Sequence, residues 1–274
     1  MPDVPVRNKL KDLASLPTIP LVLSKLVRTL QNERASIGDI SEILKYDQSV
    51  ASRIVAVANA PFFGYTSKIN SIDQAILLLG FDMVKSISLG VSVFSLMPYH
   101  YPAVKKMWAH SYGVATLAGA MCSKIPMADG GICFLGGLLH DIGRAVFLKL
   151  HREEYMELYE AGDIIAAEGA QFDCTHAQVG GWFLESLLLP GEILSAVHNH
   201  HTIAGDAEHK GIAVSVYLAE GLIGVLNPEL ACDGRWTGEH EAMFKGHGLG
   251  PDDMEEFRAL LEAAEQGMAD FFVL

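Results

Sequence analysis

Apolar residues recur along this chain at intervals of three and four, and strict alternation never persists for more than a few positions. That period predicts helices throughout. Leu23, Leu26, Val27 and Leu30 share one helical face behind Leu16-Pro17-Thr18-Ile19-Pro20, whose prolines disfavour helix before them and suit a first turn. Ser36-Ile37-Gly38-Asp39 opens a second helix, with Ile40, Ile43 and Leu44 as its apolar face. Asp47-Gln48-Ser49 caps a third, carrying Val50, Ile54, Val55 and Val57 and stopping at Asn59-Ala60-Pro61. Phe62-Phe63-Gly64-Tyr65 reads as an aromatic loop. Ser71-Ile72-Asp73 starts a helix with Ile76, Leu77 and Leu79 on one face, closed by Gly80. The stretch from Phe81 to Leu96 reads as a buried helix, although its serines and valines also suit a strand.

Pro98-Tyr99-His100-Tyr101-Pro102 interrupts the pattern, because two prolines four residues apart oppose continuous helix. Beyond it a long helix is predicted from Val104 to Lys124, with His110, Gly113, Val114, Leu117, Ala118 and Met121 on one face. Asp129-Gly130-Gly131 turns into a helix ending near His140-Asp141. Arg144 to Tyr159 continues helically, with Lys149, Arg152, Glu153, Glu154 and Glu157 as a solvated face. His176, Val179, Gly180, Phe183 and Leu187 form another face, ended by Pro190. Ile193 to His201 is a short helix, Gly211 to Val225 an apolar one holding a single acid, Glu220, and Met254 to Met268 an amphipathic one. The expected fold class is all-α. The punctuation divides the chain into residues 13–98, residues 99–225 and an extension over residues 226–274.

Half of the 274 residues are hydrophobic and only 19% are charged, which is the composition of a folded chain with a sizeable core. The net charge of −13 comes without any lysine- or arginine-rich run, so a phosphate backbone is not an expected partner. The longest charge-free stretch, Ser86 to Val104, is broken by serines and prolines and is too polar to span a bilayer. The first twelve residues contain no apolar signal segment. Cys122, Cys133, Cys174 and Cys232 form no C-x-x-C pair, and the expectation is four reduced thiols in a cytoplasmic protein. No nucleotide-cradling glycine loop and no G-x-S-x-G elbow occurs.

The chemistry-bearing positions are imidazoles and acids on apolar helix faces. His140-Asp141 sits where an apolar run meets Gly143, and its two side chains diverge by about 100° if helical, so both reach one metal most easily at a helix end. His110, His176 and the group His198, His200 and His201 come from separate helices. Hydrolytic metal sites need several nitrogen and oxygen ligands and room for water or substrate. Taken singly, His110 or His176 is more often a hydrogen-bonded core residue. Four such positions on successive helices, with Glu220 as a lone acid on an apolar helix, point together to a metal pocket. Phe62-Phe63 reads as packing, and His240 and His247 as solvated loop residues.

These residues resemble the HDOD domain, a relative of the HD superfamily of metal-dependent phosphohydrolases. The matching pieces are Leu16-Pro-x-Ile-Pro20, Asp47-Gln-Ser-Val-Ala-Ser-Arg-Ile54, Ala58-Asn59, Ile72-x-x-Ala-Ile76 with Leu79-Gly80, Trp108-x-His110-Ser111, Gly137-Leu-Leu-His140-Asp141-Ile-Gly143, His176-x-x-Val179-Gly180, and Leu189-Pro190 leading to His200-His201. The resemblance implies an N-terminal helical bundle packed on an HD-like helical lobe, and a role as a bacterial signalling or regulatory module. Active HD relatives ligate metal through a histidine, the His-Asp pair, further histidines and a final aspartate. Those positions carry over to His110, His140, Asp141, His176 and either His200 or His201.

The chain departs from the active pattern twice. Thr202-Ile-Ala-Gly-Asp206 stands where active cyclic-di-GMP phosphodiesterases have G-Y-P, and Val216-Tyr-Leu-Ala-Glu220 puts a glutamate at the final aspartate. The expectation is a non-catalytic module acting through contacts with signalling proteins. A divalent metal (Fe, Mn, Zn or Mg) would be held by His110, His140, Asp141, His176 and His200. The alternative is a metal-dependent phosphohydrolase or phosphodiesterase acting on a nucleotide, in which Asp141 bridges two metals and positions an attacking water. A helical scaffold with satisfied core histidines is the third reading.

Overall fold

The computed structural model describes residues 36–44, 48–59, 63–65, 67–94, 102–125, 129–159, 163–203 and 209–273, with the single positions Val6, Lys25, Arg28, Thr29 and Asn32. Among them are fourteen helices and no strand: α1 (Ile37–Leu44), α2 (Gln48–Ala58), α3 (Ile72–Leu79), α4 (Phe81–Phe94), α5 (Pro102–Lys124), α6 (Gly130–Leu139), α7 (Ile142–Leu150), α8 (Arg152–Tyr159), α9 (Ile164–Phe172), α10 (His176–Ser186), α11 (Gly191–Asn199), α12 (Lys210–Leu226), α13 (Gly238–Gly246) and α14 (Pro251–Val273). The all-α expectation holds, and 81–94 is helix rather than strand. The proline-led segment 16–20 with its apolar face, and the break at residues 98–101, lie outside the described residues.

Local signals explain the helix ends. Ser71 accepts a hydrogen bond from the Gln74 amide, and Asp129 caps the amides of Gly131 and Ile132. Gly80 leaves α3 with a φ of 83°, a conformation costly for a side chain with a Cβ. Helix α5 is the axis of the molecule. It is buried along most of its length and packs against α6, α12 and α14, while α6 packs in turn on α4 and α11. The α5–α6 approach depends on Gly137, where a Cβ would fall 2.7 Å from the Cα of Ala115.

Several expectations are corrected. The predicted helix 144–159 breaks at His151, giving α7 and α8. Leu77, placed on the apolar face of α3, is 83% exposed. Helices α9 and α13 went unread. His240 is not a solvated loop residue: it is buried in α13 and stacked on Tyr217 with ring centres 4.0 Å apart. Cys122 and Cys133 are not free thiols but a disulfide, their Cα atoms 6.7 Å apart where α5 meets α6; Cys174 and Cys232 are free. The stretch Gly130–Leu150 is long and apolar enough to cross a membrane, yet 94% of its most apolar window is buried inside the protein. Its apolarity lines the core on both sides of His140-Asp141.

Candidate metal centre

Six structural elements converge on one buried point. His110 comes from the middle of α5, and His140 and Asp141 occupy the joint between α6 and α7. His176 is the first residue of α10, His200 and His201 follow α11, and Glu220 projects from α12. His110, His140, Asp141, His176, His200 and Glu220 are each almost fully buried. The five sequence-predicted site residues therefore lie together. Of the three clustered histidines, His200 and His201 face inward while His198 is exposed.

The donors divide into two halves joined by Asp141. In the first, Glu220 Oε2 lies 2.9 Å from His110 Nε2 and 3.1 Å from His140 Nε2, and the two imidazole nitrogens are 3.1 Å apart. Asp141 Oδ2 lies 3.7 Å from both. In the second, Asp141 Oδ1 lies 3.2 Å from His176 Nε2 and 3.6 Å from His200 Nε2. His176 Nε2 is 3.2 Å from His200 Nε2 and 2.8 Å from His201 Nε2. Two ligands bound at about 2.1 Å to one cation sit about 3.0–3.4 Å apart, and the separations here, 2.8–3.7 Å, bracket that spacing.

Tautomers sharpen the fit. His110 Nδ1 lies 2.8 Å from the Leu230 carbonyl, His140 Nδ1 2.7 Å from that of Gly137, and His200 Nδ1 2.7 Å from that of Val197. A carbonyl only accepts, so in each ring Nδ1 carries the hydrogen and the neutral Nε2 presents a lone pair to the centre. Asp141 Oδ1, Asp141 Oδ2 and Glu220 Oε2 are buried, and apart from the Arg144 guanidinium on Asp141 Oδ2 their neighbours are these imidazoles. Lone pairs on imidazoles and carboxylates thus face one another at contact distance. That arrangement is repulsive unless cations or protons lie between them.

Protons fill part of that role in the metal-free protein. Burial opposes charging His110, but Cys232 and Glu220 beside it outweigh burial and raise its pKa well above the usual histidine range. Burial and Arg144 oppose the charge on His176, yet Glu168 and Asp141 hold its pKa up at about 10. Desolvation works against Asp141 and Glu220 too. Even so, Arg144 and His140 keep the Asp141 carboxyl well below its usual range, and His110 with His140 does the same for Glu220. Burial pushes His200 and His201 down, so these rings stay neutral with nitrogens free to ligate.

Four further residues escape the sequence reading. Glu168 on α9 accepts the amide of His176 at 2.8 Å, lies 2.8 Å from its Nδ1, and accepts the Tyr155 hydroxyl at 2.6 Å. It fixes the ring that α10 presents, as a carboxylate partner of a ligating histidine does. Arg144 places Nε 2.8 Å from Asp141 Oδ2 and pairs with Asp233. Cys232 and Asp233 belong to the loop after α12; Asp233 Oδ2 lies 3.3 Å from His201 Nε2. Glu168 carried the same signal as Glu220, a single acid within an apolar stretch. The loop residues carried none. Beside the centre lies a cavity of about 340 Å³ bordered by His200, His201, Glu220, Asp233, Arg235 and the acids Asp163 and Glu239.

A helical bundle that converges histidines and acids on a joint bearing a His-Asp pair is an HD-type helical protein. More particularly, the chain belongs to the HDOD domain family, whose profile matches residues 16–203. An uncharacterised protein of Treponema pallidum (strain Nichols) is 23% identical over 228 residues, 78% of this chain and 43% of its own length. Two crystal structures share the fold at a TM-score of 0.75. One is a candidate signal transduction protein of Marinobacter aquaeolei VT8, 21% identical, with 96% of this chain and 61% of that one covered. The other is a candidate phosphohydrolase of Shewanella amazonensis SB2B, 17% identical, with 98% of each covered. This chain therefore spans less than half of the curated relative and under two thirds of the Marinobacter protein.

Proposed function

We propose that this chain is a regulatory HDOD module that binds divalent metal at the His110–His140–Asp141–His176–His200 cluster and passes a signal to partner proteins without catalysing hydrolysis. The observation that carries the metal is the set of buried carboxylate oxygens and imidazole nitrogens directed at one another at 2.8–3.7 Å. Glu220 belongs to that set. Its longer stem still brings Oε2 against His110 and His140, while the Gly234 amide holds Oε1 at 3.0 Å. A bound divalent ion would supply Lewis acidity and lower the pKa of coordinated water.

Hydrolysis also demands an open coordination position for water or substrate, and here the protein's own groups crowd it. The Arg144 guanidinium lies on Asp141, and Asp233 lies against His201. Asp163, Glu220, Asp233 and Glu239 border the adjoining cavity and outnumber its one guanidinium, Arg235, an acidic balance that disfavours a phosphodiester. The name of the Marinobacter relative agrees with signalling.

Phosphodiester hydrolysis is the second reading, favoured by the cavity's direct access to His200 and His201 and by the name of the Shewanella relative. Elemental analysis of the purified protein, beside hydrolysis assays with added Mn, Fe and Mg, separates the two. The expected outcome is bound metal, no turnover, and metal lost in Asp141→Asn with the helical fold retained. Turnover that vanishes in Asp141→Asn would overturn the non-catalytic reading, and wild-type protein that takes up no metal would overturn the metal site.

A further inference from the structure

The loop after α12 is built onto the metal centre at several points. The Leu230 carbonyl accepts from His110, Asp233 pairs with Arg144 and His201, and the Gly234 amide donates to Glu220. Gly234 allows no side chain at this approach, since a Cβ would fall 2.5 Å from the Glu220 carbonyl oxygen. Held between these anchors, Cys232 points its sulfur at the first half of the site. Its Sγ, one nitrogen of His110 and one Asp141 oxygen all lie within 4.8 Å of one another. Both Asp141 oxygens and Glu220 Oε2 are buried there, and the Arg144 guanidinium beside Asp141 Oδ2, shared with Asp233, faces three carboxylates, so the place the thiol faces has room for a further positive charge.

We propose that Cys232 is a metal ligand, completing as a thiolate the coordination shared with His110 and Asp141, so that the loop closes the site with a sulfur donor. The inference rests on the metal-binding reading above. On coordination the Cys232 S–H bond breaks, its proton passes to solvent, and a metal–sulfur bond forms with no change of oxidation state. A soft donor in this half selects zinc, iron or cobalt over magnesium. It also occupies a position that hydrolytic water would need.

The test uses the full chain, stripped of metal and reloaded with cobalt(II). A thiolate-to-cobalt charge-transfer band in the near ultraviolet is expected in the wild type and in Cys174→Ser. It should be lost in Cys232→Ser, which still takes up cobalt through the remaining ligands. The Cys122–Cys133 disulfide offers no thiolate, so the assignment is unambiguous. Cobalt uptake without the band would overturn the inference and leave the metal site standing. No uptake by the wild type would overturn both. Alkylation of the wild type by iodoacetamide, read at the Cys232 peptide with and without zinc, tests the same bond without a substitution. Protection by zinc is expected, and equal labelling in both arms would overturn the proposal.

Discussion

At the scale of single residues, the centre depends on groups that fix the imidazoles as much as on the imidazoles themselves. Glu168→Gln replaces one acceptor oxygen with an amide donor, while the His176 amide, the His176 ring and the Tyr155 hydroxyl all present hydrogens to that group. Losing one such buried bond costs about 1–3 kcal/mol, and misorienting a ligating ring weakens metal binding about 10–100-fold. Denaturant unfolding of the chelated protein and a metal titration measure the two effects separately. The pH dependence of His176 follows from its folded pKa of about 10 against a usual 6.5. A raised pKa means that its contribution is fully present below 6.5 and fades as pH climbs toward about 10, so the metal-free protein should lose stability across that window. His176→Gln should flatten the slope in unfolding curves. Metal affinity should move the opposite way, rising with pH, because the ligands must first lose their protons. His110 and His176 were legible as histidines on apolar helix faces and His140-Asp141 as a pair ending an apolar run, while the resemblance to the HDOD domain joined them with His200 or His201 into one ligand set. Cys232 and Asp233 were not, because a loop has no period and only the folded chain brings it back over His110 and His201.

At the scale of elements, the short run His140-Asp141-Ile142-Gly143 acts through its glycine. The sequence places a helix end near His140-Asp141, and α6 does end at Leu139; Gly143 then lies in the first turn of α7 and lets that helix press against α10. A Cβ on Gly143 would fall 1.9 Å from the His176 carbonyl oxygen and 2.7 Å from the Gly180 amide nitrogen, both backbone atoms that cannot rotate away. Gly143→Ala should therefore cost about 1–3 kcal/mol or more by overpacking. Because it pushes on His176, it should also lower metal occupancy, whereas Gly169→Ala, with open space around its Cβ, should do neither. Midpoints of denaturant unfolding and metal content per chain read both. The misread elements have a common cause. Helix α9 is apolar nearly all round rather than along one face, α13 carries few apolar residues, and the break at His151 is a backbone turn that neither proline nor glycine announces.

At the scale of the whole molecule, the C-terminal helix reaches the centre through the core. Helix α14 packs on α5 and on α2, with Phe257, Leu261 and Ala264 buried, and the Lys124 ammonium pairs with Asp253 and Glu256. Those ion pairs lie at the surface and count for little. Leu261 matters more. Around Gly113, one turn beyond His110, the side chains of Leu261, Ile223 and Leu230 meet, and Leu230 is the residue whose carbonyl accepts from His110. Leu261→Ala should cost about 2–5 kcal/mol as a core truncation, a large share of a domain's total stability of about 5–15 kcal/mol. It should also free Leu230 to shift, and with it the hydrogen bond that orients His110 and the loop bearing Cys232. Val84→Ala in α4 is the comparator, since that helix packs chiefly on α2, α3 and α6. If both variants lose stability but only Leu261→Ala loses metal affinity, the extension beyond the family match is a structural support of the metal centre. Equal metal affinity in the two would instead confine α14 to general stability.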